Sequence, residues 1–90
     1  MAKHVNLKIY GRVHGVGFRW ACRRQAEKLS LAGLVKNEPD GTVYIEAEGE
    51  EKNLETFMAW CRKGPMWSRV EKVQIQNGEM KNFSDFTIEP

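Results

Sequence analysis

Long apolar runs are missing from this 90-residue chain. No stretch of about twenty apolar residues, the length of a membrane-spanning helix, occurs, and no charged-then-apolar leader opens it. A cytoplasmic location with no membrane partner is the expectation. An excess of one charge is missing too: 14 lysines and arginines stand against 12 acids, and a formal net charge of +2 excludes binding of nucleic acid by composition alone. Cysteine and histidine are scarce. Cys22 and Cys61 have neither CxxC spacing nor a histidine partner, which excludes a zinc site. Both fall on apolar faces of predicted helices, where reduced, buried thiols are expected. A bridge between them needs Cα atoms within about 7 Å, which the spacing leaves open. Only His4 and His14 are available as imidazole bases, so a nucleophile–base pair has little support. The length suits a single domain over residues 1–90, with room for one modest site and no deep cofactor cavity.

Glycine, by contrast, is concentrated in one place. Gly11-Arg12-Val13-His14-Gly15-Val16-Gly17-Phe18-Arg19 leaves an apolar strand and opens a helix. Its glycines permit φ > 0 and close approach of the backbone, so successive N–H groups can converge on one anion. Arg19 adds a planar fork of donors. The helix starting near Phe18 directs its free N–H groups and the positive end of its dipole to the same spot. The candidate phosphate-binding residues are therefore His14, Gly15, Val16, Gly17, Phe18 and Arg19, with the His14 side chain expected to point to solvent. A cation at a helix N-terminus is unfavourable by about 0.3–1 kcal/mol unless an anion visits, which favours a functional Arg19. Arg23 and Arg24 read as the solvated face of that helix, raising the local positive potential.

The rest of the chain supplies alternating and helical periods. Val5, Leu7 and Ile9 mark a first strand; Phe18, Ala21, Cys22, Ala26 and Leu29 mark a first helix that stops around Ser30 to Gly33. Leu34 to Asn37 reads as a short strand entering the turn Glu38-Pro39-Asp40-Gly41, with Val43, Ile45 and Ala47 in the returning strand and its polar residues facing outward. Leu54, Phe57, Met58 and Cys61 give a second helix ended by Gly64-Pro65. Val70, Val73 and Ile75 mark a fourth strand, Asn77-Gly78 a turn, and Phe86 and Ile88 a last strand. The order βαββαβ plus a terminal strand predicts an α+β fold of the ferredoxin-like split βαβ kind, two helices on one face of a mainly antiparallel sheet. Trp20, Trp60 and Trp67 read as packing and rim residues, and Met66-Trp67 is an apolar pair in a loop with no evident role.

That topology makes the first two strands parallel, so the glycine loop and Asn37 share one sheet edge, about 10 Å apart across two strand spacings. If Val35 faces the helices, Asn37 faces the same way; Leu34 is the alternative inward residue. The site has an anion cradle and an amide, but no Walker Gly-Lys-Ser/Thr, no third glycine of a dinucleotide fingerprint and no acidic cluster for Mg²⁺. No cofactor is expected. What remains is electrostatic catalysis of phosphoryl transfer to a water oriented by the amide. Without a strong general acid, such a site suits a leaving group that departs unprotonated. A carboxylate, with a pKa of about 4, meets that condition.

At these residues the chain resembles the acylphosphatases. The glycine loop is similar to the family's phosphate cradle, Gly33-Leu34-Val35-Lys36-Asn37 with Asp40-Gly41 to its second motif, and Cys61-Arg62-Lys63-Gly64-Pro65 and Phe83 to Ile88 to segments of bacterial and archaeal members. The resemblance implies hydrolysis of acyl phosphates to carboxylate and inorganic phosphate by in-line attack of water, without metal or covalent intermediate. It implies Arg19 as the phosphate-binding arginine and Asn37 as the residue that orients the water, with phosphate both product and competitive inhibitor, and a monomer. His14 stands where glutamine is usual, Leu34 where tryptophan is common and Lys36 where arginine is common. Ser30 replaces a frequent glycine and implies a slightly strained helix stop. Two rivals are weaker. An RNA-recognition module shares the βαββαβ plan, but the third strand offers one outward aromatic, Tyr44, beside the acids Glu46 and Glu48, so no nucleic-acid partner is expected. A segment of a larger carbamoyl-transfer maturation enzyme is disfavoured by the absence of a zinc motif and by the end of the chain just after its last strand.

Overall fold

Val5, Leu7 and Ile9 each turn into the core while Asn6, Lys8 and Tyr10 turn away from it, and this alternation organises the whole sheet. The computed structural model describes residues 1–90. Its elements are β1 (Ala2–Arg12), α1 (Phe18–Lys28), β2 (Ala32–Asn37), β3 (Val43–Glu50), α2 (Glu51–Lys63), β4 (Arg69–Gly78) and β5 (Phe86–Ile88). The strand order is β4-β1-β3-β2-β5, antiparallel throughout except for the parallel pair β2–β5. Both helices cover one face. Phe18, Cys22 and Ala26 of α1, and Leu54, Phe57 and Cys61 of α2, are buried against Val5, Leu7, Ile9, Val35, Val43, Ile45, Ala47 and Phe86. Each large apolar side chain withdrawn from water there contributes about 1.5–3 kcal/mol. Cys22 and Cys61 are buried, free and close enough that burial first, then the neighbouring thiol, pushes the Cys22 thiol up. Ser30 follows the helix with φ 55, the strain expected where glycine is absent.

Val35 is fully buried, so it, and not Leu34, is the inward residue of β2. Asn37, two residues on, therefore lies on the helix side of the sheet. Gly33 permits this register: with φ 151, its backbone packs so closely on β3 that a Cβ would collide with the Glu46 carbonyl.

Two expectations about the outer parts of the sheet are corrected. Asn77-Gly78 is not a turn; these residues extend β4, pairing with Val5 and His4. The glycine answers a packing demand, because a Cβ at position 78 would lie 2.7 Å from the His4 ring. Nor are the polar residues of β3 solvated. Glu46 and Glu48 are 6% and 4% exposed. The strand order explains why: β4 and β5 occupy opposite edges, so the connection between them must cross the sheet, and residues 79–85 cross on the face without helices.

That crossing is fastened to buried charge. Glu48 accepts from the amides of Lys81 and Phe83, the latter at 3.0 Å, and lies 2.7 Å from His4 Nδ1. Glu46 pairs with Lys81 Nζ at 2.8 Å and accepts from the Tyr44 hydroxyl at 2.8 Å. Burial alone would raise the Glu48 pKa, but the Lys81 amide, His4 and the Phe83 amide outweigh it and hold the carboxyl below its ordinary value. Glu46 is lowered in the same way, burial being outweighed by Lys81 and Tyr44. A depressed folded-state pKa contributes stability that is present above the unfolded value of 4.5 and lost as pH falls through the folded value. Glu48→Gln is thus expected to cost about 1–3 kcal/mol at neutral pH. Thermal unfolding should show the gap between wild type and variant narrowing at pH 3; a gap independent of pH would contradict the ionised role.

Candidate active site

The glycine loop begins where β1 leaves the regular ladder. A bulge between Tyr10 and Gly11 turns the strand end, and Gly11, at φ 129, sits so close to β4 that a Cβ would meet the Arg69 carbonyl. Val13 and Phe18, each 1% exposed, pin the loop's two ends in the core, and Val16 packs against it. Between these anchors Gly15 and Gly17 adopt φ 70 and φ 76 with open space around them, so glycine is required there by backbone conformation and not by crowding. Any other residue would be strained by about 1–2 kcal/mol.

This path leaves the backbone donors free. The amides of residues 14–20 find no acceptor within the chain, the first bond of α1 being Ala21 N–H to the Gly17 carbonyl at 3.0 Å. Gly17 caps α1 without a side-chain hydrogen bond, and no acidic residue lies in the first turn. The positive end of the helix therefore meets neither a side-chain cap nor an acidic residue of its own first turn.

Arg19 and Asn37 complete the wall. The guanidinium Nη1 of Arg19 donates to the Glu89 carbonyl at 2.9 Å, and the Glu89 amide in turn donates to the Val35 carbonyl at 2.8 Å. The C-terminal segment, continuing the β2–β5 ladder, thus aims the arginine and leaves its remaining donors available. Asn37, the last residue of β2, has its side-chain oxygen Oδ1 buried without a hydrogen-bond partner. Gly15, Gly17, Arg19, Trp20, Asn37 and Ile88 line one cavity of about 190 Å³. A larger concavity of about 530 Å³ lies on the opposite sheet face over Asn6, Lys8, Tyr44 and Gln74, but its floor is paired strand whose amides are already engaged.

Of the residues expected from sequence, the structure brings Gly15, Gly17, Arg19 and Asn37 to this cavity. Val16 and Phe18 send their side chains into the core and offer only backbone. His14 is the correction: its side chain does not point to solvent, and its Nε2 lies 2.7 Å from the Thr42 carbonyl. The loop folds back over the β2–β3 turn, and the imidazole ties the two together. That turn is itself rigid, because Asp40 accepts from the Thr42 hydroxyl at 2.6 Å and amide at 3.0 Å and pairs with Lys8 at 2.9 Å. The Thr42 hydroxyl, then Lys8 and the Thr42 amide, hold the Asp40 carboxyl well below the usual range. Sequence reasoning missed the contribution of Glu89, and no residue type signals it, since the acceptor is a main-chain carbonyl.

Free amides at a helix N-terminus, a guanidinium and an unpartnered carbonyl around one small cavity can hold a tetrahedral anion beside a hydrogen-bonded water. The match to known proteins agrees. A family model described as acylphosphatase covers residues 5–88. The chain belongs to the acylphosphatase family. As an acylphosphatase it is a hydrolase, and the Thermococcus kodakarensis acylphosphatase is 42% identical over 92% of this chain and 91% of its own. The crystal structure of acylphosphatase from Bacillus subtilis superposes with a TM-score of 0.95 at 35% identity, covering 100% of both chains. The same fold recurs inside a larger protein: full-length HypF in its phosphate- and nucleotide-bound form matches all of this chain with 12% of its length, at 33% identity and a TM-score of 0.89. No helix of this acylphosphatase is long and apolar enough to cross a membrane.

Proposed function

We propose that the chain hydrolyses the carboxyl–phosphate bond of acyl phosphates, with the amides of residues 14–18 and the Arg19 guanidinium holding the phosphoryl oxygens and Asn37 orienting the attacking water. The observation that carries this reading is that Asn37, whose Oδ1 is buried and unpartnered, lines the same cavity as Arg19, Gly15 and Gly17, where the loop amides are free. Leaving a buried acceptor unpaired costs about 1–3 kcal/mol, and a water that donates one proton to Oδ1 removes that cost. The same water presents a lone pair to phosphorus. As its oxygen bonds to phosphorus, the bond to the carboxylate oxygen breaks, and the water's proton passes to a phosphate oxygen. Charge gathering on the equatorial oxygens meets preorganised donors that need not reorganise. The carboxylate departs without protonation, which suits a cavity whose walls carry no carboxyl or imidazole.

Inorganic phosphate, as product, should occupy the same cradle and inhibit competitively. The reading is of a single-domain monomer over residues 1–90, and the unbridged Cys22 and Cys61 suit a reducing cytoplasm. The test is hydrolysis of benzoyl phosphate in the presence of EDTA. Turnover that persists under chelation and falls competitively with added phosphate is expected; absence of turnover by the folded protein would overturn the proposal.

A further inference from the structure

The cavity at Arg19 shares one wall with a second cavity. Trp20, 59% exposed, borders the phosphate cleft on one side and on the other a groove of about 200 Å³ between the helices, lined also by Arg24, Gln25, Lys28, Trp60 and Pro65. Trp20, Arg24 and Lys28 recur every fourth residue and so form one stripe along α1. The floor is firm: Trp60 packs on Phe18 and Phe57, with ring centroids 5.7 Å and 6.4 Å away. The rim is cationic. The Arg24 guanidinium lies 4.9 Å from the centre of the Trp20 ring, and neither Arg24 nor Lys28 has a carboxylate partner, whereas the neighbouring Arg23 is paired with Glu27 at 3.2 Å.

We propose that this groove receives the acyl group and selects acyl phosphates that are flat or apolar next to the anhydride and carry a second carboxylate at the far end. The inference rests on the acyl phosphate reading above and extends it from the phosphoryl group to the leaving group. In-line displacement sends the leaving group away from the water at Asn37, and Trp20 is the one residue that lines both the cleft and the groove. An apolar or aromatic segment lies against the indole. Helical rise of about 1.5 Å per residue puts Arg24 about 7.5 Å and Lys28 about 13.5 Å along the axis from Arg19. A carboxylate carried across a benzene ring from the anhydride falls in the reach of Arg24, with Lys28 beyond it.

The experiment compares 4-carboxybenzoyl phosphate with benzoyl phosphate, each corrected for its spontaneous hydrolysis. Two solvent-exposed charge contacts should favour the carboxylated substrate by about five- to tenfold in kcat/KM at low salt, and 0.5 M KCl should reduce that preference, the Debye length falling to about 4 Å. Arg24→Gln with Lys28→Gln should bring the ratio to about one; both side chains are on the surface, so the fold should tolerate the change. Equal kcat/KM for the two substrates in the wild type, or a preference that survives the double substitution, would overturn the proposal while leaving the acyl phosphate reading intact. Failure to turn over either substrate would sink the reading on which it rests.

Discussion

Arg19→Gln is expected to lower kcat/KM for benzoyl phosphate by about a thousandfold, because it removes the one charged donor from a cavity where a single preorganised donor is worth about 10²- to 10³-fold. Glutamine keeps an N–H donor but loses the charge and the planar fork that grips two oxygens at once. In the proposed mechanism both substrate binding and the transition state use that fork, so inhibition by phosphate should weaken along with kcat. The free amides of residues 14–20 remain, which is why some activity should persist. Stability should scarcely change. The variant loses the hydrogen bond from Nη1 to the Glu89 carbonyl, 2.9 Å long in the wild type, worth about 1 kcal/mol. It also removes a cation from the positive end of α1, a relief of about 0.3–1 kcal/mol. Steady-state kinetics beside a melting curve separate the two roles: undiminished turnover would remove Arg19 from the site, and a fall in Tm of more than about 8 °C would mark it as structural instead.

How much of this site was legible before the structure depends on the kind of group involved. Side-chain periods identified both helices, the core face and the split βαβ order, because Val5, Leu7 and Ile9, or Leu54, Phe57 and Cys61, declare their burial by residue type. Arg19 and the glycines declared the cradle in the same way. The register of β2 was ambiguous because Leu34 and Val35 are both apolar; only the packing of Val35 against the helices, with Gly33 pressed on the Glu46 carbonyl, settles which face Asn37 takes. Contributions made by backbone carbonyls left no trace in the sequence: Thr42 holds His14, and Glu89 holds Arg19. The burial of the β3 acids is hidden from the sequence for a topological reason. Alternation reports which residues leave the helix face but not whether another segment covers them, and here the crossing that joins opposite edges does so. The strand at Asn77-Gly78 is hidden for a local one, since turn-forming residues also serve where a long ladder and a neighbouring ring, His4, demand the smallest side chain.

Asn37 offers the sharper division between binding and chemistry. Asn37→Ala is expected to lower kcat by about a hundredfold, the loss of one oriented partner in the transition state, while inhibition by inorganic phosphate changes by less than about threefold. In the proposed mechanism the phosphoryl group rests on amides and a guanidinium that the substitution does not touch, so ground-state binding and turnover should part company. Stability gives an independent reading. Because Oδ1 is buried and makes no hydrogen bond within the chain, its removal deletes an unsatisfied acceptor and breaks no internal bond. The variant should therefore be as stable as the wild type or slightly more so, the pattern expected of a group kept for function against its own local cost. Asn37→Asp makes a complementary case: it preserves shape and acceptors but places a negative charge beside the cradle, so it should weaken phosphate binding as well as turnover. If alanine instead lowers phosphate affinity and kcat in equal measure, Asn37 binds the phosphoryl group directly, and the water must be held by other groups.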